Sequence, residues 1–378
     1  MKGTEVWGSN AEMRSIPSIS VDDAVEILAL MYSSHLGTGK GLKGSPAVML
    51  WGPPGSGKSE LVIQMADVLA AMTGKQVSVT DVRLLLYTPV DLKGVPTYDE
   101  NRTRSIWLKP AVFDMDPSED VINILFLDEL TAAPPSVQAA AYQITLDGTV
   151  GEHKLPDNCI VIAAGNRVTD KSVAYRMPKA LANRMMHFGI EVSFKSWRKW
   201  AVRNGINEVV TGFLSFKPDR LMVFDAGSDD TAFPTPRTWE KVSDELNGID
   251  QPLEYLLPLV SGLIGSGTAA ELLSWSRVFG ELPSVESIFS GQCPPVPRRA
   301  DTLYALVSSM TRYASEHRTE LSRIANSIKY ADRLPPDFAT VLMQDYMYIE
   351  EGYRDKLMKI PEFVRWINTQ GVLLNGVR

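Results

Sequence analysis

The chain has 378 residues, 44% of them hydrophobic and 22% charged, and a formal net charge of −7. It is too apolar for a disordered chain and long enough for two or three domains. Its acidic balance argues against a dedicated DNA-binding surface, which needs a basic face.

Residues 1–20 read as irregular. In the next segment Val21, Val25, Leu28, Ala29 and Tyr32 recur at helical spacing behind Ser20, a residue suited to cap a helix N-terminus. A Gly/Lys-rich loop, Gly37–Ser45, leads into the apolar run Ala47-Val48-Met49-Leu50-Trp51, a predicted strand. Then comes Gly52-Pro53-Pro54-Gly55-Ser56-Gly57-Lys58-Ser59, and after it Glu60–Ala70 with helical periodicity. Val77–Val82 predicts a second strand, and residues 83–118, rich in Pro, Gly and charge, predict an insertion of turns and a hairpin. Ile122–Leu127 is a nearly continuous apolar run, the mark of a strand buried on both faces. Val137–Leu146 predicts a helix entered through Pro134 and Pro135. Cys159–Ala164 is another buried strand, and Phe188–Val192 a last one. Strands alternating with helices imply a parallel sheet covered on both faces. Past residue 195 the apolar residues keep helical spacing and strand signals fade. The expected domains are an α/β core at 1–195, a helical lid at 196–295 and C-terminal helices at 296–378, with Pro294, Pro295 and Pro297 marking the joint.

The segment Gly52–Ser59 fits G-x-x-x-x-G-K-[ST], and its strand and helix flanks are the context this phosphate loop needs. Its glycines let backbone N–H groups turn onto a polyphosphate, and the next helix adds partial positive charge there. Lys58 is expected to reach the β- and γ-phosphates, and the Ser59 hydroxyl to hold Mg²⁺. The run Ile124-Leu125-Phe126-Leu127-Asp128-Glu129 ends a buried strand in two carboxylates. Alone, that pair reads as a solvated strand end. Downstream of a phosphate loop it places Asp128 toward the Mg²⁺ and Glu129 beside the attacking water. The next strand ends at Gly165-Asn166, where an amide can bond the γ-phosphate or orient the water.

Together these motifs resemble the AAA+ ATPases, and within them the MoxR-like or dynein-related branch. The resemblance rests on Gly52–Ser59, on Leu125–Glu129 with the following Leu130-Thr131-Ala132-Ala133-Pro134-Pro135-Ser136-Val137-Gln138, and on Ala163–Asn166. Thr88–Pro96 looks like that branch's helix-2 insertion, and Asp147 to about Pro156 like the hairpin before sensor 1. The resemblance covers roughly residues 20–250. It implies a P-loop NTPase three-layer parallel sheet (the AAA+ core) followed by an all-α lid and C-terminal helices. It implies ATP and Mg²⁺ as cofactors, with Gly52, Pro53, Pro54, Gly55, Ser56, Gly57, Lys58, Ser59 and Glu60 around the nucleotide. Ser59 and Asp128 would hold the metal, and Glu129 and Asn166, the latter as sensor 1, would serve hydrolysis. The segment Lys179–Arg184 matches the family's arginine-finger region, so Arg184 would reach a neighbouring subunit's γ-phosphate, with Arg176 as second candidate. Phe233–Trp239 resembles the sensor 2 motif, so Arg237 would touch the nucleotide in cis. Read without the family, each arginine is a surface ion-pair partner.

Two departures from the family pattern stand out: Met185 follows the finger arginine where an aromatic is common, and Leu130-Thr131 replaces the frequent Ile-Asn. Neither is expected to touch the hydrolysis chemistry. The family also implies a homo-oligomeric ring, a hexamer, remodelling or maturing a protein client beside a von Willebrand factor A domain partner. The rival reading is a nucleic-acid motor or helicase loader, with positive charge confined to pore loops. A third, a scaffold that scarcely hydrolyses, is opposed by the intact Glu129.

Remaining features read as follows. Ser193–Trp200 mixes basic and aromatic residues and reads as an amphipathic helix with core aromatics and solvated cations rather than a single-strand binding face. Tyr98–Lys109, with Arg102, Arg104 and Trp107, reads equally as a partner-facing loop or a plain hairpin. Tyr255–Ala270, uncharged but holding Pro258 and three glycines, is too short to cross a membrane and reads as packed helix and turn. The four histidines lack ligand spacing, and Met185-Met186 is expected to pack. Cys159 and Cys293 read as reduced thiols, and Met1–Asn10 does not look like a leader, so a cytoplasmic protein is expected.

Overall fold

A computed structural model describes residues 16–39, 41–167, 175, 177–225 and 227–370. By contact density the chain divides into two units, one of residues 1–192 with 225–228, the other of 193–224 with 229–378.

The first unit is built on ten strands and five helices among the described residues. In chain order these are β1 (Ser18–Ser20), α1 (Val21–Gly37), β2 (Val48–Trp51), α2 (Lys58–Thr73), β3 (Gln76–Arg83), α3 (Pro89–Lys93), β4 (Val95–Tyr98), β5 (Ser105–Leu108), β6 (Val121–Asp128), α4 (Pro135–Asp147), β7 (Thr149–Val150), β8 (His153–Lys154), β9 (Cys159–Gly165), α5 (Lys179–Ala182) and β10 (Met186–Glu191). Six strands form one sheet in the order β1-β10-β2-β9-β6-β3, and every pairing in it is parallel. β4–β5 and β7–β8 are separate antiparallel hairpins.

The sheet separates two apolar layers. Leu28 and Tyr32 of α1 and Leu61 and Met65 of α2 pack with Val48, Leu50, Ile124, Phe126 and Ile162 on one face. Met49, Leu125, Leu127 and Ala163 face Val137, Ala141 and Ile144 of α4 on the other. Alternate residues of β2 and β6 thus enter opposite layers, which is why both strands are apolar throughout.

Most elements fall where the sequence pattern puts them, and the differences are physical. β1 forms where irregular chain was expected, because three residues beside β10 suffice for an edge strand. The insertion contains a short helix, α3, besides its expected hairpin. Thr88 and Asp91 close a capping box around Pro89, and five residues of helix leave no periodicity to read. Ser20 does cap α1, accepting from the Asp23 backbone N–H at 3.2 Å.

The second unit is helical: α6 (Phe194–Arg203), α7 (Glu208–Phe216), α8 (Pro236–Gly248), α9 (Leu253–Ile264), α10 (Ser266–Ser276), α11 (Val285–Phe289), α12 (Ala300–Glu316), α13 (Leu321–Ala331), α14 (Pro336–Tyr348), α15 (Tyr353–Leu357) and α16 (Pro361–Gln370). An apolar cluster in it joins Val202, Ile288 and Phe289 to Leu306, Met310, Ile328, Tyr346, Phe363 and Trp366. Residues on both sides of the prolines at 294–297 thus share one apolar cluster.

The basic–aromatic segment of α6 keeps its aromatics in the core, with Trp197 7% exposed. Its cations are not all solvated, however, which corrects the sequence reading. Arg198 is buried and grips Asp345 of α14 with two donors, Nε at 2.8 Å and Nη2 at 2.5 Å. Ser215 accepts from Arg198 Nη1, and Thr311 donates to Asp345 at 3.0 Å, so the pair is satisfied within four helices. Tyr255–Ala270 folds as most of α9, a break at Gly265 and the start of α10. No described helix is long and apolar enough to cross a membrane.

Candidate nucleotide-binding site

β2 stops at Trp51, and the chain turns through Gly52–Gly57 before α2 begins at Lys58. The turn needs its glycines: Gly55 has φ 77° and Gly57 has φ 92°, a region that side chains resist. Gly52 is crowded as well, since a Cβ there would stand 2.8 Å from Ser56 Oγ. Its N–H bonds Gly165 O at 3.3 Å, tying the loop to the end of β9.

Lys58 is 9% exposed, and its ammonium donates to Gly52 O at 2.7 Å, to Pro53 O at 2.9 Å and to Asn166 Oδ1 at 3.2 Å. A cation so buried requires oxygen partners. Here the loop supplies two and the candidate sensor residue the third. Ser59 donates to Asp128 Oδ2 at 3.2 Å, which brings the two expected metal ligands together from α2 and β6. The other Asp128 oxygen accepts from the Glu129 backbone N–H at 2.8 Å. Glu129 has φ 58°, a left-handed conformation uncommon outside glycine, at the point where β6 ends. Glu60, in the first turn of α2, accepts from Gln64 at 3.0 Å. Partial burial, and then the Asp128 carboxylate, push the Asp81 carboxyl on β3 above its ordinary value against the pull of Arg83.

The donor set fits a Mg²⁺–nucleotide. One hydroxyl and one carboxylate lie beside a buried ammonium and a helix N-terminus, a set that needs phosphate oxygens to complete it. Among the described residues no cluster of three or more His, Cys, Asp or Glu could hold a metal by itself.

The loop 129–134 between β6 and α4 is braced by hydrogen bonds. Leu130 N–H bonds Ala164 O at 2.8 Å. The buried Gln138 donates to Thr131 O at 3.3 Å and to Ala133 O at 3.0 Å, and accepts from Tyr142 OH at 2.6 Å. The Thr131 hydroxyl donates to Asn166 O at 3.1 Å. A Cβ on Gly165 would meet that same hydroxyl at 2.5 Å, so only glycine lets the strand end lie against Thr131. Thr131 thus holds the backbone of Asn166, a link that the sequence reading of Leu130-Thr131 did not include.

The expected arginines lie on other elements. Arg184 is exposed in the turn between α5 and β10. Arg237 is exposed in the first turn of α8, behind the capping box of Thr235 and Thr238, in the helical unit. Arg176 lies outside the described residues. Met185 is buried and Met186 half-buried against the sheet, as expected of a packing pair.

Around β2, with β10 on one side and β9, β6 and β3 on the other, a glycine loop lies beyond the strand's carboxyl end, at the point where connections diverge. With a buried loop lysine and a serine–aspartate pair, this architecture is that of a P-loop NTPase. Residues 47–187 match the family model described as ATPase family associated with various cellular activities (AAA).

Solved structures similar to the chain include a candidate ATPase of Cytophaga hutchinsonii, at 17% identity over 85% of this chain and 83% of that one, with a TM-score of 0.34. A RuvB variant of Thermotoga maritima is 14% identical over 78% of this chain and 86% of that one, with a TM-score of 0.33. PCH-2 of C. elegans is 14% identical over 79% of this chain and 69% of that one, with a TM-score of 0.32. No curated protein matches the sequence.

Proposed function

We propose that the chain is a Mg²⁺-dependent, ring-forming ATPase, a hexamer, that couples ATP hydrolysis to the remodelling or maturation of a protein client beside a von Willebrand factor A domain partner. The observation that carries the hydrolytic part is the convergence of Lys58 with Asn166 and of Ser59 with Asp128 at the carboxyl ends of neighbouring parallel strands. The client, the ring and the partner rest on the family resemblance.

In this reading Lys58 and the loop N–H groups take the β- and γ-phosphates. Ser59 and Asp128 would hold Mg²⁺, which would supply positive charge to offset that of the phosphates. Glu129 accepts a proton from the attacking water, and Asn166 orients that water or the γ-phosphate. The water oxygen bonds to the γ-phosphorus as the β–γ bridge breaks, giving ADP and phosphate. Arg184 of a neighbouring copy steadies the charge on the transferring group, and Arg237 touches the nucleotide in cis.

Glu129→Gln tests the core of this reading. It removes the base and keeps the shape, so ATP should still bind while steady-state phosphate release falls to a few per cent or less. Normal turnover in that variant would remove Glu129 from the mechanism.

A further inference from the structure

The imidazole of His187 lies between the strand that feeds the phosphate loop and the turn that carries Arg184. His187 is the second residue of β10 and pairs with Met49 of β2. Trp51, the last residue before the loop, donates from Nε1 to His187 Nδ1 at 2.9 Å, and the two rings stack with centroids 6.0 Å apart. The second ring nitrogen, Nε2, lies 2.7 Å from Ala182 O, the last residue of α5. These partners fix the tautomer. An indole N–H only donates and a carbonyl only accepts, so Nδ1 is bare and Nε2 carries the hydrogen. Both nitrogens of the ring are thereby engaged.

The carbonyl it reaches sets the position of Arg184. Ala182 O also accepts from Met185 N–H at 3.2 Å, which closes a tight turn with Asn183 and Arg184 at its tip. Met185 is buried and anchors one side of the turn, while Asn183 and Arg184 are exposed. On the far side, Met186 N–H bonds Ala47 O at 2.9 Å at the start of β2. The His187 side chain thus joins the turn's first carbonyl to Trp51 at the end of the strand that feeds the phosphate loop.

We infer that His187 is a positioning residue that sets Arg184 against the subunit's own phosphate loop, so that the finger offered to a neighbour is registered to the nucleotide site behind it. This rests on the reading of Arg184 as a finger acting in trans. His187 itself touches neither nucleotide nor water.

The test uses the full chain assembled with ATP. His187→Phe keeps an aromatic ring and removes both hydrogen bonds, and Trp51→Phe removes only the loop-side donor, which keeps the test available if the first variant folds poorly. The expected result is a fluorescent ATP analogue bound within about twofold of the parent affinity, with turnover about ten- to a hundredfold lower, the scale for displacing a reacting group by about an ångström. Mixing His187→Phe with Glu129→Gln subunits should restore turnover, because each supplies what the other lacks. Combining His187→Phe with Arg184→Ala should cost no more than Arg184→Ala alone. A loss of nucleotide affinity, additive losses with Arg184→Ala, or no recovery on mixing would overturn the proposal. If Arg184→Ala lowers turnover and both His187→Phe and Trp51→Phe leave it unchanged, the positioning role alone fails. If Arg184→Ala itself is fully active, the finger reading fails and takes the proposal with it.

Discussion

The Thr131 hydroxyl donates to the backbone carbonyl of Asn166 at 3.1 Å, while the side chain of that asparagine accepts from Lys58 at 3.2 Å. The candidate sensor is thus held at both ends, by the loop after β6 on its backbone and by the phosphate-loop lysine on its amide. The direction of that amide therefore depends on how firmly the backbone behind it is fixed.

Thr131→Val should expose this. The methyl group replaces the hydroxyl at nearly constant volume and leaves a carbonyl short of one partner, at a cost of about 1–3 kcal/mol. Phosphate-release kinetics should show kcat reduced several-fold with KM nearly unchanged, and Thr131→Ser should recover most of it. A purely structural role would leave kcat intact, whatever the change in melting temperature.

In the helical unit the buried Arg198–Asp345 pair sets the largest single-residue sensitivity we expect. Asp345 is 1% exposed and accepts from Arg198 and Thr311. Asp345→Ala leaves a guanidinium buried without its counter-charge, which costs about 3–5 kcal/mol. Urea unfolding should register that loss. Replacing both partners by apolar residues of similar size should recover much of it.

Glu271 gives the helical unit an acid dependence of defined sign. Its carboxylate accepts from Arg220 at 3.0 and 3.1 Å and from Lys217 at 2.7 Å. The Arg220 hydrogen bonds first, and Lys217 after them, hold it below the ordinary glutamate value. A lowered folded pKa contributes stability above the unfolded value of about 4.3, and that contribution disappears as pH falls through the folded value. Glu271→Gln should therefore unfold at lower urea than the parent near neutral pH, and the gap should close in acid. A gap that widens in acid would contradict the assignment.

The two thiols should separate cleanly. Burial pushes Cys159 up to about 12, whereas Cys293 is exposed. Brief alkylation of the native protein followed by peptide mapping should modify Cys293 and spare Cys159. Denaturant should then open Cys159 to the reagent.

Much of the nucleotide site was legible because its chemistry is local in sequence. A phosphate loop needs consecutive residues, so Gly52–Ser59 announces itself, and a strand buried on both faces that ends in Asp128-Glu129 is readable for the same reason. Thr131, Trp51 and His187 were not legible. Each acts through a hydrogen bond to a residue far along the chain or on another strand, and none carries a spacing of its own. Arg198 was misread for a related reason: its counter-charge, Asp345, lies on a helix 147 positions later. The short helix α3 escaped because one turn and a capping box leave no period.

By itself, then, the sequence determined a parallel α/β core with a phosphate loop, two carboxylates at a strand end, an asparagine at the next, and a helical remainder. These follow from apolar periodicity and from residues adjacent in the chain. Only the tertiary structure decided that Lys58 meets Asn166, that Thr131 holds the backbone of Asn166, and that His187 joins Trp51 to the turn of Arg184. Those partners come together because parallel strands align their carboxyl ends. The pairing register that does this is set by burial across the whole sheet, not by any local run of residues.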